Sequence, residues 1–186
     1  MGRCDLLRSL DRLHPLNGLR ARHMNVDSAF EFLASTPFAK AISQGAVAFP
    51  MLECVHVVAI ALVLGTIMIV DLRLLGYRSH RRGVRQLVRD MVPYTWAAFA
   101  IAFLAGSLLF ISNAPKYAHN AQFQLKMMLI LIAAANMAIF HLTIYRRIQE
   151  WDERSPPPAA ARIAGATSLG LWLTVVFLGR WVGFTL

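Results

Sequence analysis

Four long stretches of the chain are apolar on every side, with neither the alternation of a strand nor the one-sided stripe of a soluble helix. They cover about residues 47–77, 93–112, 124–147 and 162–184. A helix needs about 20 predominantly apolar residues to cross the hydrocarbon layer, because its backbone groups must all be satisfied within the segment. Strands of a membrane barrel would alternate and would be about half as long. Pro93 suits the first turn of the second stretch, where its missing N–H costs nothing. Ser155-Pro156-Pro157-Pro158 breaks the chain before the fourth. The fold predicted is all-α: an integral membrane bundle of four transmembrane helices over residues 46–186, preceded by a short interfacial helix.

That interfacial segment is residues 25–45. Ser28 and Glu31 have the spacing of a capping box, and Thr36-Pro37 restarts a second turn. Phe30, Leu33, Ala34 and Phe38 form its apolar face. Residues 1–24 hold Arg3, Arg8, Arg12, Arg20 and Arg22 but no apolar core of signal-peptide length. They are expected to be a disordered or misannotated extension, with Met24 as the true start.

Composition supports the membrane reading. Hydrophobic residues make up 57% of the chain, which is more than a soluble domain uses. The mean hydropathy is +0.51. A formal net charge of +9 would suit nucleic acid, but the arginines lie in the gaps between apolar runs, as topogenic signals do. Nucleic acid is therefore excluded as a partner, and the lipid bilayer takes its place. Arg78, Arg81, Arg82, Arg85 and Arg89 follow the first span, and Arg146, Arg147, Arg154 and Arg162 follow the third. These loops are expected on the cytoplasmic side of a bacterial inner membrane. The segment Asn113 to Gln124 and both termini then face outward. Cys4 and Cys54 sit in unlike surroundings, so no disulfide is expected, and no metal motif is present.

Ionisable side chains inside a membrane are costly, so each is a candidate for function. Here they are Glu53, His56, Asp71, Arg73, His141 and Arg180, with Lys126 at the outer boundary and Asn136 as the buried amide. From Pro50 as the outer edge, helical rise puts Glu53 about 5 Å and His56 about 9 Å deep. Arg180 lies at nearly the level of Glu53, so the two could pair across the first and last helices. Asp71 and Arg73 are charges at the inner boundary.

Neutral imidazole is the usual axial ligand of b-type haem in helical bundles, which makes His56 and His141 candidate cofactor ligands. His141 lies about 21 Å from the outer edge, so an offset of about 12 Å separates it from His56 and opposes one shared iron. His119 in the outer loop is nearer His56 in depth, and His80 in the inner loop is nearer His141. A histidine of this kind can also simply bond a neighbouring helix, for instance His56 with Asn136. Ala97, Ala98, Ala102, Ala105, Gly106 and Ala133–Ala135 permit close helix contact. Trp96, Trp172, Trp181 and the tyrosines read largely as interfacial belts.

Leu52-Glu53-Cys54-Val55-His56-Val57, Gly65, Asp71-Leu72-Arg73-Leu74-Leu75-Gly76, Lys116-Tyr117-Ala118-His119-Asn120 and Gly179-Arg180-Trp181 together resemble a family of bacterial four-helix membrane proteins of unknown function. The likeness covers about Ser28 to Phe184 and implies no activity. More loosely, His56 near the outer end of the first helix and a glycine further along it are similar to the copper resistance protein D family. They are also similar to the four-helix protoporphyrinogen oxidases that carry haem b. Lys126 and His141 on the third helix are similar to the same oxidases, with a longer spacing between them.

Three readings stay open from the residues: haem b binding with electron transfer in the membrane, a non-enzymatic partner or small-solute permeation subunit, and an oxidoreductase acting on a quinone or porphyrin. A second copy or another membrane protein would be its partner. Topology can be checked directly. In intact cells, a cysteine introduced at Ser79 or Ser155 should resist an impermeant thiol reagent, whereas one at Asn120 should react; the reverse labelling would invert the orientation.

Overall fold

The computed structural model describes residues 27–77, 83–152 and 157–185. The expectations for residues 1–24 lie outside these, as do Arg78, Ser79, His80, Arg81, Arg82, Arg154 and Ser155. All regular structure among the described residues is helical.

Two short helices come first, α1 over residues 27–35 and α2 from Pro37 to Gln44. The break between them is chemical. Thr36 is in an extended conformation, its hydroxyl accepts from the Ala39 N–H at 3.3 Å, and Pro37 fills the first helical position. Phe30 meets Phe110 edge-on with ring centres 6.0 Å apart, while Leu33 and Phe38 stay exposed.

The first span, α3 (Ala48–Leu74), stops three residues short of Tyr77. Gly76 takes φ +95°, its N–H bonds the Arg73 carbonyl, and the Tyr77 N–H reaches back to Leu72. This pair of hydrogen bonds over a left-handed glycine is the usual way of satisfying the last carbonyls of a helix. The second span, α4 (Val84–Ser112), starts nine residues before Pro93, which therefore lies inside the helix and not in its first turn. The early start follows from a one-sided pattern. Val84, Leu87 and Val88 are buried, whereas Arg85, Gln86 and Arg89 are exposed. A search for unbroken apolar runs passes over such turns.

A helix α5 (Ala114–His119) occupies the connection expected to be loop. Asn120 then caps the third span: its side-chain oxygen accepts from the Phe123 N–H at 3.0 Å, and its amide donates to the Thr185 hydroxyl at 2.9 Å. The third span runs as α6 (Ala121–Ile139) through a π-helical turn, Phe140–Ile144, and a tighter turn, Tyr145–Arg147, to Trp151. The fourth is α7 (Ala159–Thr185).

Helix α3 packs against α4 on one side and α7 on the other, and α6 packs on α7. Gly165 makes the α3–α7 contact close, since a Cβ there would fall 3.0 Å from the Leu74 Cβ and 3.1 Å from the Asp71 carbonyl oxygen. At the basic end, which carries Arg85, Arg89, Arg146, Arg147 and Arg162, a core of Leu74, Val84, Val88, Phe140, Ile148, Trp151 and Ala161 joins all four spans. Elsewhere the surface is apolar. Phe103, Leu104, Met128, Leu131 and Phe177 are 61% to 70% exposed, which requires lipid around them. All four long helices are long and apolar enough to cross a membrane.

The two connections at the basic end are tied by one carboxylate. Asp152 Oδ1 accepts from the Arg85 N–H at 3.0 Å, and a Cβ on Gly83 would sit 2.7 Å from Oδ2. The side chain thus caps α4 from a distant part of the sequence, at its positive end. Asp152→Ala should lower stability by about 1 kcal/mol, seen as an earlier midpoint of denaturant unfolding in detergent micelles. Asp152→Asn, which keeps the acceptor, should lose less.

Candidate functional site

Helical spacing puts Glu53 and His56 on neighbouring turns of α3, at the end of the bundle opposite the basic loops. The His56 ring leans on α4. Its Nδ1 lies 2.8 Å from the Ala102 carbonyl oxygen, and since a carbonyl only accepts, Nδ1 carries a proton, which in the neutral ring leaves the lone pair on Nε2. Gly106, one turn further, makes room for the ring. A Cβ there would come within 2.7 Å of His56 Cε1, so the glycine that reads as a packing position in the sequence is the seat of the imidazole.

The other spans close on the same place. Lys126 of α6 lies within electrostatic reach of His56, as does Glu53. The lysine's stem lies against Gly179 of α7, with its Cδ 3.8 Å from where a Cβ would be, and its Nζ sits 4.9 Å from the centre of the Phe123 ring. Beside them Phe110 and Phe123 stack with ring centres 5.5 Å apart, and Tyr117 lies tilted against both. Burial, and after it the charge of Glu53, pushes the Tyr117 phenol above its usual pKa. Imidazole, amine, carboxyl and phenol from three helices thus gather under an aromatic roof.

His119 does not complete this group. Its Nδ1 bonds the Pro115 carbonyl at 2.9 Å and its Nε2 pairs with Asp27 at 3.2 Å, so both nitrogens are occupied at the surface. Nor do Glu53 and Arg180 form an ion pair. Arg180 lies over Phe184, one turn along its own helix, at 4.9 Å from the ring centre, and both charged side chains are exposed, where a pair would gain little. Asn136 bonds the Ala164 carbonyl at 3.1 Å in place of His56. His141 sits in the π-helical turn with Nδ1 on the Met137 carbonyl at 2.9 Å and its ring 5.3 Å from that of Tyr145. It is 15 residues beyond Lys126 on one continuous helix, a rise of about 22 Å.

The remaining polar groups lie nearer the basic end. Thr95 and Thr66 join α4 to α3 through hydroxyls 2.9 Å apart. Asp71, 5% exposed, is hydrogen-bonded by Ser168 of α7, and Arg73 stands half-buried beside it in the sequence. Sequence reasoning passed over Ser168, Thr66 and Thr95, because hydroxyls are common in apolar helices and only a cross-helix partner distinguishes these. Cys54 is a free, exposed thiol. No group of three or more His, Cys, Asp or Glu able to hold a metal occurs among the described residues.

Apolar lipid-facing helices with a few partnered polar groups between them define a multi-pass integral membrane protein, a four-helix bundle. The chain belongs to the family of unknown function DUF6644, whose model matches residues 30–185. No curated protein and no solved structure matches it.

The seat of His56 can be tested by filling it. Gly106→Ala should displace the imidazole, break its bond to Ala102, and destabilise the bundle by about 1–3 kcal/mol. Gly170→Ala, where the Cβ meets open space, should leave the unfolding midpoint in detergent unchanged or slightly raised. Equal behaviour of the two variants would mean that Gly106 does not seat the ring.

Proposed function

We propose that this protein binds haem b in the half of the bilayer opposite the basic loops, with His56 as axial ligand, and carries electrons within the membrane. The observation behind this reading is the 2.8 Å bond from His56 Nδ1–H to the Ala102 carbonyl. Ligating histidines commonly donate their other nitrogen to a carbonyl, which fixes the tautomer and ring direction and makes the ligating nitrogen more basic. The donor set near His56 fits one axial ligand supplied by the chain. His119 has no nitrogen to spare. His141 has the same tautomer but is too far along α6 to serve the same iron.

Bound haem would take up and return one electron. The chain's part is to hold and to balance charge. Lys126, within electrostatic reach of His56, would supply a cation to a carboxylate of the bound group. Apolar side chains of α3 and α4 would line the ring face, and the Tyr117 phenol, within electrostatic reach of Glu53, would stand at the edge of the site. The membrane proposed is a bacterial inner membrane, the arginine-bearing connections facing the cytoplasm and both ends of the chain outside.

Protein purified in mild detergent from haem-replete cells, or mixed with hemin, should give Soret and α bands on reduction, at one haem per chain. His56→Ala should lose them, while His119→Ala and His141→Ala should keep them. A colourless wild-type protein would overturn the reading in favour of a subunit whose polar groups serve helix packing alone, and haem retained by His56→Ala would overturn His56 as its ligand.

A further inference from the structure

A second polar centre lies at the other end of the bundle, and it is incomplete in a specific way. Asp71 is buried between α3 and α7. Ser168 hydrogen-bonds its carboxyl, yet the Oδ2 atom, shielded from solvent, has no hydrogen-bond partner. Buried polar oxygens in membrane interiors nearly always find a donor, and leaving a charged one bare is among the most costly arrangements a fold can hold. Space does not explain the gap. A Cβ on Gly165, one turn before Ser168, would fall 3.1 Å from the Asp71 carbonyl oxygen, so the neighbourhood is tightly built. Asn136 of α6 bonds the Ala164 carbonyl next to it, so three spans place polar groups along one turn of α7.

We infer that Asp71 is a proton-exchange site, whose Oδ2 takes a proton from the aqueous phase at the basic end and returns it there. A proton removes the charge and needs no further ligand. A metal cation would need several further oxygen ligands, and among the described residues no group of three or more His, Cys, Asp or Glu stands there to hold one. The route is short, because Asp71 is three residues from the end of α3, about 4–5 Å of helix. The charged groups at that end are Arg73 on α3 itself, Arg85, Arg89 and Asp90 on the first turns of α4, Arg146 and Arg147 on the third span, and Arg162 on the first turn of α7. From α7, the wall of the site is Gly165 and Ser168, neither of which titrates. The Ser168 hydroxyl, bonded to the carboxyl in either state, holds the group in place while the proton comes and goes. This inference does not depend on haem at His56.

Infrared difference spectroscopy of the protein in lipid tests it. A carbonyl band of a protonated carboxylic acid should be present near neutral pH, move to lower frequency in heavy water, convert to carboxylate bands as pH is raised, and vanish in Asp71→Asn. Ser168→Ala removes one hydrogen bond from the same carboxyl and should shift that band to higher frequency; it keeps the test decisive should Asp71→Asn fail to fold. Carboxylate bands alone at every pH that the protein tolerates, or a band that ignores Ser168→Ala, would overturn the proposal. So would a band that responds to sodium at fixed pH and not to pH at fixed sodium, which would mark a cation site.

Discussion

The absence of water from the hydrocarbon layer constrains everything else in this protein. It forces the backbone into four continuous helices, and it also governs each polar side chain that the helices carry. A hydroxyl, amide or imidazole in that layer cannot turn to solvent, so it bonds its own helix or a neighbour. Thr143 and Thr174 take the first course, each bonding the carbonyl four residues back. His56, Thr95, Asn136 and Ser168 take the second and join one span to the next. These crossing bonds give the bundle its register, because apolar surfaces alone slide past one another in lipid with little preference.

The same constraint gives the two ends of the bundle different contacts. Around Phe140, Ile148 and Trp151 the spans share a core, and Asp152 ties the start of α4 to the end of the third span. Water-facing helix ends can accept such a cap, and there it holds two connections with one side chain. At the opposite end the spans are joined by polar contacts and an aromatic roof, with a glycine set under an imidazole.

Haem at His56 and a proton at Asp71 would place a redox group and a proton-exchanging carboxyl on one helix, 15 residues and about 22 Å apart. Between them Thr66 and Thr95 form a polar step at about two thirds of that distance. An electron arriving in a low-dielectric layer is stabilised by a proton taken up nearby, so the two sites have a physical reason to share a bundle. Each nevertheless rests on its own geometry.

The sequence by itself determined the class of protein. Four apolar runs, the helix break at Thr36-Pro37 and the histidines, acids and lysine inside the membrane were all legible, since the transfer cost of a side chain is a property of its type and of its neighbours along the chain. Boundaries were legible only where local chemistry set them. Gly76 ended α3 earlier than hydropathy suggested, and the one-sided turns of Val84 to Val92 began α4 sooner. Which partner each polar group found was decided by tertiary structure alone. His56 chose Ala102 over Asn136, Arg180 chose Phe184 over Glu53, Asp152 capped a helix 67 residues away, and Ser168 reached Asp71. A carbonyl becomes an acceptor for a neighbouring helix only when a small residue lets the two approach and their rotations bring donor and acceptor to one level. Both depend on how all four helices pack, and no single stretch of sequence records that.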